Sequence, residues 1–440
     1  MWTEWGPPLN LAVGAAVDRL ASIEAGRLVS LSIALPSAPV GHRLNVGGDS
    51  AWIATSRNFS MYGSGVAVRF EDSVGDRFQA ACEYWCPLDR QGIPPVAWFC
   101  ASSPTSAPRL SLWIPRVLLR QGPEGAIVTL SALRDAVSPA EVAHQWLTEL
   151  RHFLDPPAPA PRADNAFVSL QATPDAETWR SRVRAAKSEI AAGRFVKAVL
   201  ARRLGIRLAR PTVPREIAAR LAHIHPECHA VCFPHGAGSV VAASPELVAA
   251  KRGRRLVSHA LAGTAARHVR PDDDARAAAA LLASAKERHE HGIVVDAIAA
   301  RLAEICDGVE HPATPAVMPL RFLQHLCTPV SGRLRPGIGL LDAVCHIHPT
   351  PAVVGHPVAA ARAWLGEVGE SRDGLYSGVA GWIDAAGDGD AVVVLRSAYL
   401  EDRTAVLWAG AGIVAASDPD AELAETELKL ATMLEVLRTP

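Results

Sequence analysis

The sequence predicts a large mixed α/β (α+β) fold, and three observations lead there. At 440 residues the chain exceeds what one simple core usually serves, so two lobes or one large α/β unit are expected. Short apolar runs of strand length, broken by Pro, Gly and Ser, fill residues 1 to about 155. Beyond them, strand-like runs alternate with stretches of helical period, the longest being Pro271 to Ile305 and Asp420 to Leu437.

Composition narrows the function classes. A hydrophobic content of 49% with 20% charged residues is that of an ordinary globular protein. The net charge of −1 argues against a nucleic-acid or membrane-surface partner, so an anionic ligand must meet local positive groups. No window approaches ~18 uninterrupted apolar residues. The start, Met1 to Pro7, lacks the basic and apolar regions of a secretory signal. Eight scattered cysteines fit reduced, cytoplasmic thiols better than a disulfide framework. The cluster His223, His225, Cys228, His229, Cys232, His235 is too irregular for a standard zinc site and reads as a buried strand with ordinary histidines.

In the first part, Leu28 to Leu35, Gly65 to Phe70, Val96 to Ala101, Leu110 to Val117 and Ala126 to Leu130 read as strands, flanked by helical patterns at Ala12 to Glu24 and Pro139 to Phe153. None carries a chemical motif. The Pro-rich Asp155 to Pro161 is the best internal boundary.

After it, Thr173-Pro174 places a capping hydroxyl before a proline, and Trp179, Val183, Ala186 and Ile190 follow at helical spacing. Phe195 to Arg202 reads as a buried strand carrying Lys197. Such a lysine either faces solvent or is a base whose pKa desolvation lowers. The strand Ser239 to Ala243 ends in Ser244-Pro245-Glu246, a candidate general acid or a plain turn. Leu261 to Ala265, with Gly263 and Thr264, is a small-residue turn. The loop His346 to Gly355, holding His348 and Ala352, is shaped by prolines. Asp373 to Gly378 opens a hairpin with strands Val379 to Asp384 and Ala391 to Leu400, with Arg396 mid-strand wanting a carboxylate. Ala409 to Ile413 reads as a glycine-bearing turn ahead of the last helix.

Two helical stretches share a design. Glu287 and Glu290 stand at i, i+3, as do Glu422 and Glu425, with Lys429 at i+4 from Glu425. Either these are solvated faces, or the two pairs meet around one Mg²⁺, which favours octahedral oxygen.

Taken in order, Lys197 to Arg202, Ser244 to Leu247, Leu261 to Thr264, Lys286 to His291, His348 to Ala352, Val394 to Arg396 and Ala409 to Val414 strongly resemble the chorismate-utilising enzymes. These are isochorismate synthase, salicylate synthase, anthranilate synthase component I and aminodeoxychorismate synthase component I. The resemblance spans Phe195 to Leu437 and leans toward isochorismate synthase. It implies the anthranilate synthase component I-like fold, two stacked antiparallel sheets with outer helices. Residues 1–160 would be the variable N-terminal half of that fold and 161–440 the chorismate-binding catalytic region. It implies Mg²⁺ bound directly by Glu290 and Glu425 and through water by Glu287 and Glu422. Lys197 would be the base and Glu246 the acid. Arg396, Tyr376 and the backbone of Gly410, Ala411 and Gly412 would hold the enolpyruvyl carboxylate, with Lys429 nearby. Gly263, Thr264, His348 and Ala352 would complete the substrate site. A small-molecule substrate, a monomer, and no glutamine amidotransferase partner are also implied, with a product serving siderophore, menaquinone or salicylate synthesis. Asp373 to Gly378 looks closer to salicylate synthases, whereas Ala352 is small where those enzymes carry a hydroxylated residue. Salicylate synthase is therefore the rival reading, and a catalytically silent ligand-binding paralogue the third.

Overall fold

The computed structural model describes residues 2–35, 52–56, 59–70, 80–89, 92–105, 110–123, 125–135, 137–155, 165–370, 372 and 375–438. The connector from Pro156 to Pro161 and the pair Asp373-Gly374 lie outside the described residues.

Period-2 runs pair into one network, antiparallel except where Arg27–Leu35 meets Cys86–Pro87, that parts into two arms. The parting point is Leu110–Gly122, which borders Phe59–Phe70 along one stretch and Val96–Ala101 along another. The first arm continues from Phe59–Phe70 through Trp52–Ser56, His229–His235, Gly238–Ser244, Ser397–Glu401, Thr404–Ile413 and Lys197–Leu208. The second continues from Val96–Ala101 through Val379–Asp384, Gly389–Val393, Leu247–Arg252 and Arg255–Ala266 to Leu323–Leu334. Helix Pro419–Arg438 packs on the first arm and helix Ala285–Ile305 on the second. The α+β class and the two-sheet arrangement agree with expectation.

Two short segments cross between the arms side by side. Ser244-Pro245-Glu246 leads from the first arm to the second, and Val394-Leu395-Arg396 leads back. The Val393 N–H donates to the Glu246 carbonyl at 3.1 Å, and the Ala243 N–H to the Arg396 carbonyl at 3.2 Å. Each crossing thereby delivers one charged side chain to the space between the sheets.

Five expectations need correction. Leu261 to Ala265 is no turn but part of strand Arg255–Ala266, interrupted only by a bulge at Gly263. Ala391 to Leu400 is two strands, Gly389–Val393 and Ser397–Glu401, because Arg396 takes φ 49° and breaks the extended run. Pro271 to Ile305 is two helices, Pro271–Ala283 and Ala285–Ile305. Ser284 leaves helical geometry at ψ 119° and its hydroxyl accepts the Glu287 N–H at 3.3 Å. Thr173 ends a strand rather than capping a helix; Asp175 is the cap, accepting the Thr178 N–H at 2.8 Å. Ala409 to Ile413 is no turn but the end of strand Thr404–Ile413, still paired with Ala198 to Arg202.

Candidate active site

Between the arms lies a cavity. Lys197 and Val199 line it from one strand, and Gly410 and Gly412 from its neighbour. The glycines are a matter of space. A Cβ on Gly412 would stand 2.3 Å from Glu290 Oε1 and 2.7 Å from Lys197 Cε, and one on Gly410 would stand 2.9 Å from the Tyr376 hydroxyl. Tyr376 is stacked on Trp408 with centroids 5.4 Å apart.

Lys197 is 1% exposed and pairs with Glu290, Nζ to Oε1 2.9 Å. Glu246 is 3% exposed, and its Oε1 accepts the Thr350 hydroxyl at 3.4 Å. Burial pushes the Glu246 carboxyl up to about 7, with the Lys197 charge pulling the other way.

Opposite, a β-bulge at Gly263, φ 79°, turns Thr264 into the cavity. The Thr264 N–H donates to Glu287 Oε2 at 3.0 Å, and its hydroxyl to Glu425 Oε1 at 3.2 Å. One residue thus touches a glutamate from each helix. Lys429 Nζ lies 2.5 Å from Glu425 Oε1 and donates to the Gly410 carbonyl at 2.8 Å. Burial raises the Glu425 carboxyl, but the Lys429 charge and hydrogen bond outweigh it and hold it below its usual value. Lys286 Nζ is 2.9 Å from Glu422 Oε1 and 3.3 Å from Glu287 Oε1. Glu422 is nevertheless pushed up to about 7, by burial first and by the Glu425 charge second.

Of the residues singled out in the sequence, Lys197, Glu246, Gly263, Thr264, Ala352 and Tyr376 line this one cavity. So do Arg396, Gly410, Gly412, Lys429, Glu290 and Glu425. Glu287 and Glu422 stand just behind, on the bonds given above. Two residues do not belong to the wall. Ala411 is fully buried in the core: the N–H groups of Val199 and Ala201 turn to Val354 and Glu370, so Ala411 is the residue bonded into the ladder opposite Leu200. His348 is off the cavity as well, and the histidine on its wall is His325.

His325 lies in strand Leu323–Leu334. Its Nε2 faces the Arg396 guanidinium at 2.8 Å and its Nδ1 the Gly263 carbonyl at 3.1 Å. Burial, then the Arg396 and Lys429 charges, hold it well below its ordinary value. A neutral ring with the proton on Nδ1 satisfies both contacts and fixes Arg396. With Gln324 and Thr328 near it in the strand, His325 offered no contrast of the kind that marked Lys197. Thr350 was also missed, and a hydroxyl in a Pro-rich loop gives no such contrast.

Four carboxylates gathered at one end of the cavity are the donor chemistry of a hard divalent cation, so the residues fit Mg²⁺ in kind. As oriented, no three His, Cys, Asp or Glu side chains among the described residues are grouped to ligate one ion. Lys197, Lys286 and Lys429 stand among the carboxylates instead.

A buried acid near neutrality, a buried lysine and a buried arginine facing one cavity make up the chemistry of an acid–base enzyme site. Residues 99–438 match the family described as chorismate binding enzyme, and the chain belongs to that family. It is 36% identical over 278 residues to isochorismate synthase DhbC of Bacillus subtilis, covering 61% of this chain and 69% of that one. It is 37% identical over 272 residues to isochorismate synthase EntC of Escherichia coli, again covering 61% and 69%. The solved structure of MenF, the menaquinone-specific isochorismate synthase from Escherichia coli, superposes with TM-score 0.84 at 24% identity, covering 98% of this chain and 100% of that one; it shows the shared fold.

Proposed function

We propose that the chain is a Mg²⁺-dependent isochorismate synthase, an isomerase acting in the cytoplasm as a monomer without a glutamine amidotransferase subunit. The observation that carries this reading is a lysine and a near-neutral glutamic acid, both almost wholly buried, facing one cavity. The names of the relatives support the choice of reaction.

Chorismate is a cyclohexadiene with a ring carboxylate, a C4 hydroxyl and an enolpyruvyl ether. Lys197 takes a proton from water as its oxygen bonds to C2. Both ring double bonds shift, C1=C2 to C1=C6 and C5=C6 to C4=C5, the C4–O bond breaks, and Glu246 donates its proton to the departing hydroxyl. Thr350 steadies the Glu246 carboxyl, and Arg396, fixed by His325, meets the enolpyruvyl carboxylate with Tyr376. Glu290 and Glu425, with Glu287 and Glu422 behind them, would hold Mg²⁺, which when bound supplies a Lewis acid for the ring carboxylate. One hydroxyl replaces another, so the reaction is near thermoneutral and reversible.

The test is incubation of the pure protein with chorismate and Mg²⁺. Isochorismate is expected to accumulate, and Lys197→Ala or Glu246→Gln to lose at least about 10²-fold in kcat. Full activity in either variant removes the assignment. Activity that survives EDTA removes the metal. Salicylate fluorescence in the same assay would favour the rival salicylate synthase.

A further inference from the structure

The side chain of Lys286 is not used by this mechanism, yet it ties together the two helices that carry the acidic cluster. It leaves the start of helix Ala285–Ile305 and bridges Glu287 of its own helix to Glu422 of helix Pro419–Arg438. Its field reaches Glu290 and Glu425 as well, so one ammonium acts on all four carboxylates. Glu422 is 2% exposed, and an uncompensated carboxylate there is costly. The Lys286 side chain keeps 27% exposure, so a long flexible stem ends at the edge of the site rather than sealed within it.

We propose that Lys286 is an internal counter-cation that holds the four-glutamate site assembled without metal and is displaced when a divalent ion binds. The ion pairs it makes are then the competitor of the metal. Mg²⁺ must break the contacts to Glu287 and Glu422, and the ammonium swings outward to water. Lys197 and Lys429 differ from it in kind, since both line the substrate cavity. The inference rests on the metal reading and adds a determinant of metal affinity to it.

The experiment is calorimetric titration of the full-length protein with MgCl₂ in the absence of substrate, with thermal unfolding at zero and saturating Mg²⁺. Wild type is compared with Lys286→Met, which keeps the stem and removes the charge. The variant is expected to bind Mg²⁺ about tenfold more tightly, the effect of removing one competing interaction of ordinary size. It is also expected to melt lower than wild type without metal and to recover most of that deficit with metal. An unchanged Kd with an equal melting deficit in both conditions overturns the proposal and leaves Lys286 a helix-to-helix tie. Weaker binding by the variant overturns it too and makes Lys286 part of the metal's support. If neither protein binds Mg²⁺, the metal reading itself falls, an outcome distinct from the other two. Lys286→Arg, which keeps the charge, should retain the wild-type Kd to within a few fold and so separate charge from misfolding.

Discussion

At Glu246 the chain uses burial to set a proton's place. Burial pushes the Glu246 carboxyl up to about 7, so below that pH the group keeps the proton it is placed to donate and above it the group is a carboxylate. A limb centred near pH 7 should therefore appear in chorismate kcat/KM, and because the reaction releases no net proton the reverse direction should carry the same limb. The raised folded value also makes stability fall as pH rises from the unfolded carboxyl range toward about 7, a slope that Glu246→Gln should flatten in urea unfolding. Initial rates in both directions across pH 5 to 9 check the limb, with about half-unit steps sufficient to place it. Profiles flat through pH 7 would contradict the role of Glu246. Lys197 stood out in the sequence because a charge in an apolar run must have a partner or a task, and Glu246 because a carboxylate stood at a strand end in a proline turn. His325 has polar neighbours in its strand, and its place became visible only when Arg396 and Gly263 were set against it.

At the scale of elements, Ser284 shows what hydrophobic period cannot. The residues on both sides of it keep a helical pattern, so the sequence reads as one helix, but the serine side chain competes for the Glu287 N–H and starts a second one. That break sets the direction of the helix that brings Glu287 and Glu290 to the site. Ser284→Ala should cost about 1 kcal/mol of stability in urea unfolding, typical of a lost N-cap. It should also lower kcat more than it raises the chorismate KM, since the glutamates shift while Arg396 stays fixed by His325. A variant with unchanged stability would mean that the cap is idle. Arg396 and the strand end at Ile413 teach the same lesson from the other side. Apolar runs gave no sign of where a strand stops, because pairing partners decide that.

Across the whole molecule, the residues lining the cavity fall after residue 195, yet the sheets that hold them do not. The family match begins at residue 99, ahead of the division placed at 160. Strand Val96–Ala101 completes the sheet beside Val379–Asp384, register Trp98 opposite Trp382. One buried cluster joins Phe99, Leu112 and Ile114 to Ala198, Leu200, Ala411 and Ile413, the strands directly under the lysine and the glycines. Such pairings across hundreds of residues leave no local trace, which is why the first part yielded strands but no purpose. The prediction is that residues 161–440 do not fold as a unit on their own. Expressed alone, that segment would leave the Val379–Asp384 edge unpaired and the faces around Phe99 exposed, conditions that favour aggregation over folding. It should show no cooperative thermal transition and no chorismate turnover. Mixing it with a separately expressed 1–160 segment should restore some of both, because the core they share is apolar and extensive. A 161–440 segment that melts cooperatively and turns over chorismate by itself would show that the N-terminal strands are an addition to the catalytic fold rather than half of it.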